Sequence, residues 1–174
     1  MAVIPCKDSG FWLSVVLNVM NVIKLQAATN ERAMGSAIPY LEILIDGVPL
    51  QNLFAGRLGA VPNVISPLGW GMSKTAHWEN EFNRFLLLSP PDLSNGRNSI
   101  LVCPLDADLG CGAYSAVFTL RDGVIGWSDF GYENDYDPAS IDLDTYKHLK
   151  PLTFAWSQYE KEILSRYEGF LEPV

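Results

Sequence analysis

The sequence predicts an α+β fold, a mostly antiparallel β-sheet of about five strands packed with two or three α-helices. Short runs rich in aromatic and β-branched residues occupy the middle of the chain, and such runs favour strands. Asp-Gly pairs at 46–47 and 122–123 supply turns that join antiparallel neighbours. Two segments whose apolar residues recur at helical spacing stand on either side of the central strands, so we expect helices to pack against the sheet.

The chain has 174 residues, of which 48% are hydrophobic. A chain of this length and composition can bury a core of its own, so we expect a single globular domain over residues 1–174. It contains three cysteines, too few to suggest a disulfide framework in a domain of this size. This cysteine content favours the reducing cytoplasm as its location.

The first apolar run covers residues 11–25, where apolar side chains take most of the odd positions. Period two predicts a long strand, although Ser14, Asn18 and Asn21 at spacings of four and three leave a helix open. The run is too short and too often interrupted by polar residues to span a bilayer, so no membrane association is expected. Residues 27–37 are predicted to be a connection.

A second strand is predicted over residues 40–45, closed by the turn at 46–47. Apolar residues at 50, 53 and 54 then have the spacing of a short helix. Residues 56–71 contain four glycines and two prolines, so this segment is predicted to be irregular.

Two longer helices are predicted. One covers residues 74–88, with Ser73 as its N-cap and Pro90 just beyond its end. The other follows a short strand at 152–156. Ser157 and Glu160 have the spacing of a capping box and would open this helix, which runs to about Phe170.

The centre of the chain is predicted to be a three-stranded meander over residues 99–130. Its strands cover 99–103, 113–120 and 124–130, and a loop with Pro104 and two glycines joins the first two. In a regular third strand, Trp127 and Phe130 would lie on opposite faces of the sheet. An edge strand of this meander offers a homodimer contact by edge pairing.

The loop between the first two strands of the meander holds the candidate metal ligands, which are Cys103, Asp106, Asp108 and Cys111. Thiolates and carboxylates both bind zinc, but seven residues separate the cysteines, whereas structural zinc sites usually contain a closer pair. The spacing therefore favours small buried cysteines in a loop folded by Asx turns, with no cofactor, and zinc is the alternative. A further alternative is that Cys111 is a nucleophile with His77 or His148 as its base. The last is a disulfide between Cys103 and Cys111.

Carboxylates are concentrated in the segment that starts at the turn between the last two strands of the meander. Between residues 122 and 144 there are seven acids and no lysine or arginine, within a net charge of −8. This concentration excludes nucleic acid and anionic lipid as expected partners. A solvated loop is one interpretation, and a surface for a basic protein partner is the other. The candidate binding residues are Asp129, Glu133, Asp135, Asp137, Asp142 and Asp144.

Common catalytic motifs, including the nucleophile elbow, the Walker loop and the dinucleotide fingerprint, are absent from the sequence. Together with the acidic excess, this favours a non-enzymatic cytoplasmic interaction protein, of the immunity-like kind that neutralises a basic partner such as a toxin. The alternative is a metal-binding protein or an enzyme that uses the loop from Cys103 to Cys111.

The meander resembles a group of uncharacterised bacterial proteins whose shared pattern is C-P-x-C-G-D-x-G-C-G-A, a further strand, and W-x-D-F-G. The first part matches residues 103–113 except at Asp106 and Ala107, where the group often has a cysteine and a glycine, and the second part matches residues 127–131. The segments YLEILIDGVPL and PLTFAWSQYEKEI also resemble that group, so the likeness covers most of residues 39–170. It implies a shared fold and no particular activity.

Overall fold

The computed structural model describes residues 19–31, 37–56, 59–72, 76–134, 136–137 and 140–171. In this part of the chain, two antiparallel sheets pack with two α-helices, which confirms the predicted α+β class. The strands form a three-stranded and a four-stranded sheet, instead of the one sheet of about five strands that the sequence predicts.

The first sheet contains β1 (Ile23–Asn30), β2 (Ile38–Ile45) and β3 (Val48–Pro49) in that order. Asp46 and Gly47 join β2 to β3 with φ angles of 53° and 83°, the positive values of the predicted two-residue turn. The short helix predicted next is a 3₁₀ turn over Leu50–Phe54.

Residues 23–25 of the first apolar run are strand, whereas its described residues 19–22 are in neither a strand nor a helix. β1 begins at Ile23 and pairs with β2 along its whole length, from Ile23 opposite Ile45 to Asn30 opposite Ile38. The prediction of a connection from residue 27 is therefore wrong for 27–30, because ladder pairing continues where the apolar alternation has ended. Residues 11–18 lie outside the described residues.

The second sheet contains β4 (Asn98–Leu101), β5 (Ala113–Arg121), β6 (Val124–Glu133) and β7 (Leu152–Ala155) in that order. The predicted turn between β5 and β6 is confirmed, since Asp122 and Gly123 have φ angles of 49° and 74°. β7 pairs along β6.

The edge-paired homodimer of the meander stays a prediction. β7 pairs along the outer edge of β6 and is itself the outer strand on that side of the sheet. At the β4 edge, Asp92 accepts the Ser99 N–H at 2.9 Å, and Ile65 and Val102 form a bridge just beyond the strand. Part of this edge is therefore bonded within the chain.

Trp127 and Phe130 are both buried, although they would lie on opposite faces of a regular strand. The register of β5 and β6 shifts between Ser115 and Val117, and the opposing residue Asp129 has a φ of 52°. This bulge inserts one residue and returns the Phe130 side chain to the core face.

The two helices are α1 (Ala76–Phe85) and α2 (Trp156–Leu171). Leu87, with a φ of 59°, follows α1, so the helix ends before the predicted residue 88. Ser157 lies inside the first turn of α2 and is not the predicted N-cap, because β7 leads directly into the helix and the Trp156 N–H donates to the Gly123 carbonyl at 2.8 Å. Neither helix has the length and apolar character needed to cross a membrane.

Side chains of α2 cover the outer edge of β1. The Leu25 N–H donates to Glu162 Oε1 at 2.8 Å, and Gln158 Nε2 donates to the Ile23 carbonyl at 2.8 Å. The Asn21 N–H donates to the Thr153 carbonyl of β7 at 2.7 Å. These bonds join the two sheets along the side where β1, α2 and β7 meet.

Trp127 lies at the centre of the main core, which both sheets and both helices share. Its ring stacks on Phe118 with 4.7 Å between centroids and meets Phe85, Phe154 and Tyr159 edge-on. A smaller cluster contains Tyr40, Ile65, Val102, Ala107 and Ala113 and lies under the loop between β4 and β5.

Two arginines are buried beside β4 and carry their counter-charges with them. Arg84 is fully buried, pairs with Glu81 and Asp92, and donates to the Ser99 carbonyl at 2.8 Å. Arg97 pairs with Glu133 at 2.9 Å. Buried charges need such partners, because moving an unpaired ion from water into the protein interior costs several kcal/mol.

Candidate metal centre

The loop between β4 and β5 is folded by its own aspartates. Asp106 Oδ1 accepts the Asp108 N–H at 3.1 Å, and Asp108 Oδ1 accepts the Gly110 N–H at 2.8 Å. The second bond caps a 3₁₀ turn over Leu109–Cys111. Short side chains that bind the backbone two residues ahead fix the path of a loop without a strand or helix to support it.

Aromatic side chains from outside the loop hold both of its ends. Trp70 Nε1 donates to the Pro104 carbonyl at 3.1 Å, and the Tyr132 hydroxyl donates to the Cys111 carbonyl at 3.3 Å. Between these anchors, Ala107 is buried in the smaller core cluster. The loop therefore has a fixed inner side and an exposed outer side.

Two backbone conformations in the loop restrict its sequence. Gly112 has a φ of 98°, and a Cβ placed there would lie 2.0 Å from the Tyr132 hydroxyl oxygen. Ala107 has a φ of 54°, which is unusual for a residue with a side chain. These positions turn the chain so that the residues between Cys103 and Cys111 form a compact bend.

The bend brings three potential metal ligands together on the outer side. The sulfurs of Cys103 and Cys111 and a carboxylate oxygen of Asp106 all lie within 4.8 Å of one another. The Cys111 Sγ is 3.6 Å from Asp106 Oδ2, the oxygen that the Asp108 N–H does not use. Asp108, the fourth ligand that the sequence suggests, is absent from this group and caps the 3₁₀ turn instead.

Both cysteines of the loop are free thiols. Cys111 is exposed and Cys103 is partly buried. Loss of hydration raises the pKa of the Cys111 thiol to about 11, and the adjacent Asp106 carboxylate and Cys103 thiol add to this rise. A thiol with so high a pKa is a weak nucleophile at neutral pH.

Of the two histidines that the sequence suggested as bases for Cys111, His148 does not join the ligand group. His148 is exposed, and its Nδ1 lies 2.9 Å from the Thr145 carbonyl oxygen. The side chain of His77 lies outside the described residues. The arrangement thus provides ligands for a cation, and no histidine side chain of the described residues joins them.

Glu133, one of the predicted surface acids, is buried. Its carboxylate accepts bonds from Arg97, from Ser115 and, at 2.5 Å, from Asn95. Glu133 therefore balances a buried arginine and does not belong to an acidic surface.

Asp129 is exposed at the bulge of β6. Its Oδ2 accepts the Ser128 hydroxyl at 2.9 Å, and its carbonyl accepts a bond from Arg97. The side chain lines a cavity of about 290 Å³ together with Tyr146 and Lys147. Asp129 thus shares this cavity with the segment that follows β6.

The remaining predicted acids lie in the segment after β6. Asp137 and Asp142 are exposed, and exposed Asp144 pairs with Lys147 at 3.3 Å. Bonds from the Thr145 side chain and N–H hold the pKa of Asp142 below its usual range. Asp135 lies outside the described residues. Asp137, Asp142 and Asp144 are thus the predicted acids of this segment that the structure describes, and all three are exposed.

Sequence reasoning did not single out the aromatic residues that build the loop. Trp70 comes from a distant glycine-rich segment, and Tyr132 comes from the end of β6. Tyr136, which is 81% exposed, lies against Gly110. The tyrosines lie within the acidic stretch without any periodic signal, so only the three-dimensional contact reveals their role.

A polar cavity of about 500 Å³ lies against β1, β2 and the 3₁₀ turn that follows β3. Its lining includes Tyr40, Glu42, Gln51 and Asn52. Burial raises the pKa of Glu42, whose carboxylate is hydrogen-bonded to the Tyr40 hydroxyl. No sequence motif pointed to this place.

Comparison of the chain with protein-family models, with curated proteins and with solved structures gives no match. The geometry of the loop is therefore the basis for the functional argument.

Proposed function

We propose that this chain is a metal-binding protein that holds one thiophilic divalent cation, best matched by Zn²⁺, at Cys103, Asp106 and Cys111. The observation that carries the proposal is the gathering of two sulfurs and one carboxylate oxygen within 4.8 Å. The three ligands come from a single short loop, so little further chain ordering is needed to bind the ion.

The spacing of the ligand atoms agrees with tetrahedral coordination. A tetrahedral zinc with bonds of about 2.3 Å to sulfur and about 2.1 Å to oxygen separates these two ligands by roughly 3.6 Å. The distance between Cys111 Sγ and Asp106 Oδ2 is 3.6 Å. Two sulfurs on one tetrahedral zinc lie about 3.8 Å apart. The sulfurs of Cys103 and Cys111 are at most 4.8 Å apart, so they must approach by no more than about 1 Å, which rotation about χ1 allows.

The ligand types select among cations. Two thiolates favour zinc and other thiophilic ions over magnesium and calcium, which prefer oxygen ligands. Because Asp106 and Cys111 are exposed, the fourth position of a tetrahedral ion faces solvent and takes water or a small ligand.

The uncharacterised bacterial group that the meander resembles often has a cysteine where this chain has Asp106, so the proposed site has one thiol fewer than that group offers. Ala107, where the group has glycine, has the positive φ that glycine adopts without strain. Free thiols also fit the proposed cytoplasmic location in a bacterium.

The test is a zinc titration of the purified, reduced protein against a competing chromophoric chelator. We expect one zinc per chain, with binding lost in Cys103→Ser and in Cys111→Ser. Cys6→Ser is the matched control and should bind as the native protein does. Native protein that takes up no zinc, or loop variants that bind as the native protein does, would contradict the proposal.

A second proposed function is docking of a basic protein partner, such as a toxin, on the acidic surface formed by Asp137, Asp142 and Asp144. The observation that favours it is that exposed Tyr136 lies among these exposed carboxylates and against the metal loop. Tyrosine is enriched at protein interfaces, and surface charge accelerates association with an oppositely charged partner.

Charge reversal separates this second function from the first. A pull-down with Asp137→Lys and Asp144→Lys combined in the bait should lose basic partners that native bait retains. Glu168→Lys on α2 changes the same kind of exposed charge and is the matched control. Equal capture by all three baits would remove the docking proposal and leave metal binding untouched.

A further inference from the structure

We infer that Cys103 and Cys111 are also a reversible redox modification site, at which an intramolecular disulfide and the bound metal exclude one another. This inference rests on the proposed metal function, because it concerns how the same site is emptied. Its basis is the position of the two sulfurs in one fixed loop.

The thiols are close enough to react with each other. The two sulfurs lie within 4.8 Å of each other. A disulfide bond is about 2.0 Å long, so side-chain rotation must shorten the distance between the sulfurs by less than about 3 Å. Pro104 and Cys111 are tied at their carbonyls to Trp70 and Tyr132, which keeps the two ends of the loop together. The fixed loop therefore favours closure within the chain over a bond between two chains.

The unequal exposure of the two thiols assigns their roles. Cys111 is exposed and Cys103 is partly buried, so a peroxide in solution reaches Cys111 first. The small fraction of Cys111 that is thiolate attacks one peroxide oxygen, the O–O bond breaks, and a sulfenic acid forms with release of hydroxide. The Cys103 sulfur then attacks the Cys111 sulfur, the S–O bond breaks, and water leaves as the disulfide forms. In total, two thiols and one hydrogen peroxide give one disulfide and two waters.

The same sulfurs cannot hold metal once they are joined. Oxidation removes the two thiolate charges that bind the cation and leaves Asp106 as the only ligand of the group. For the zinc form, one peroxide and two protons convert the two bound thiolates to a disulfide, with release of Zn²⁺ and two waters. A thiol reductant reverses the change by thiol–disulfide exchange and restores both ligands.

The test uses the full chain with Cys6→Ser, so that only the loop thiols remain. Hydrogen peroxide should lower the intact mass by two hydrogen atoms, abolish labelling by a thiol reagent, and give a monomer on a non-reducing gel. Zinc preloaded on the protein should appear in solution at one equivalent, and a thiol reductant followed by zinc should reload it. Oxygen added to Cys103 or Cys111, located by peptide mass spectrometry because the four methionines also take up oxygen, or a covalent dimer, would overturn the inference.

Asp106→Asn in the same background makes failure of this inference distinguishable from failure of the metal proposal. The variant lacks the carboxylate but keeps both thiols, so it should bind zinc weakly and still lose two hydrogen atoms to peroxide. Zinc binding without an intramolecular disulfide would retain the metal function and reject the redox site. Disulfide formation in native protein that binds no zinc would reject the metal function and, with it, the exclusion between metal and disulfide.

Discussion

Two carboxylates, Asp106 in the loop before β5 and Glu133 at the end of β6, lie in opposite environments. Glu133 is 2% exposed and pairs with Arg97 at 2.9 Å inside the protein. Asp106 is exposed beside two thiols, and no lysine or arginine of the described chain forms an ion pair with it. A buried carboxylate must find its positive charge within the fold, whereas an exposed one beside soft ligands can take a cation from solution.

This difference separates structural chemistry from ligand chemistry. Removing Glu133 leaves Arg97 buried without its counter-charge, so the whole fold should lose stability. Removing Asp106 leaves a loop whose inner side is still held by Trp70 and Tyr132, so mainly metal binding should suffer. Each of the following substitutions tests one side of this comparison.

The largest effect is expected for Glu133→Gln. Loss of one partner of a buried ion pair costs about 3–5 kcal/mol, and the midpoint of urea unfolding should fall accordingly. Glu79→Gln, in an exposed position of α1, is the matched control and should change the free energy of unfolding by less than about 0.5 kcal/mol. Equal free energies of unfolding for the two variants would show that the Arg97–Glu133 pair does not stabilise the fold.

Asp106→Asn should weaken zinc binding at least tenfold, since even the loss of an outer-shell partner commonly costs about 10- to 100-fold in metal affinity. Its free energy of unfolding without metal should stay within about 0.5 kcal/mol of the native value. Asp108→Asn keeps an oxygen that can accept the Gly110 N–H, so zinc affinity should hardly change. A stronger effect at Asp108 than at Asp106 in competition titrations would reverse the assignment of ligands.

Gly112→Ala should lower both stability and zinc affinity. A side chain at a φ of 98° costs about 1–3 kcal/mol, and its Cβ would displace the Tyr132 hydroxyl that holds Cys111. Gly123→Ala imposes a positive φ on alanine in the β5–β6 turn, where no atom lies within 4 Å of the added Cβ. Chemical unfolding should detect both variants, and zinc titration should detect only Gly112→Ala. Normal zinc binding by Gly112→Ala would exclude a role for this conformation in the site.

The smallest effect is expected for Trp70→Phe, which removes the indole N–H bond to the Pro104 carbonyl. One such hydrogen bond contributes about 1 kcal/mol, so zinc affinity should fall only a few-fold. Trp156→Phe, at the start of α2, is the control for loss of an indole and should leave zinc affinity unchanged. Trp70→Phe protein with native zinc affinity would show that the loop is held without this bond.

Local signals in the sequence were sufficient for most of the fold. The Asp-Gly pairs at 46–47 and 122–123 predicted both turns, because only a few residues tolerate two successive positive φ angles. The extension of β1 to Asn30 was not predictable, because pairing with β2 continues there without an apolar pattern. The early end of α1 and the direct passage from β7 into α2 likewise depend on contacts with the rest of the fold.

The candidate site was predicted in part. The sequence placed Cys103, Asp106, Asp108 and Cys111 in one loop, but spacing alone could not show that Asp106 turns toward the thiols while Asp108 caps a turn. It also placed Glu133 with the surface acids, since nothing local to the acidic stretch shows that the distant Arg97 lies opposite it. Long-range contacts decided both assignments.

X-ray absorption spectroscopy of the zinc-loaded native protein decides whether the loop thiols bind the metal, because it counts the sulfur and oxygen atoms around the zinc. We expect two sulfurs at about 2.3 Å and oxygen at about 2.0–2.2 Å. A zinc environment of oxygen and nitrogen alone would show that Cys103 and Cys111 are not ligands.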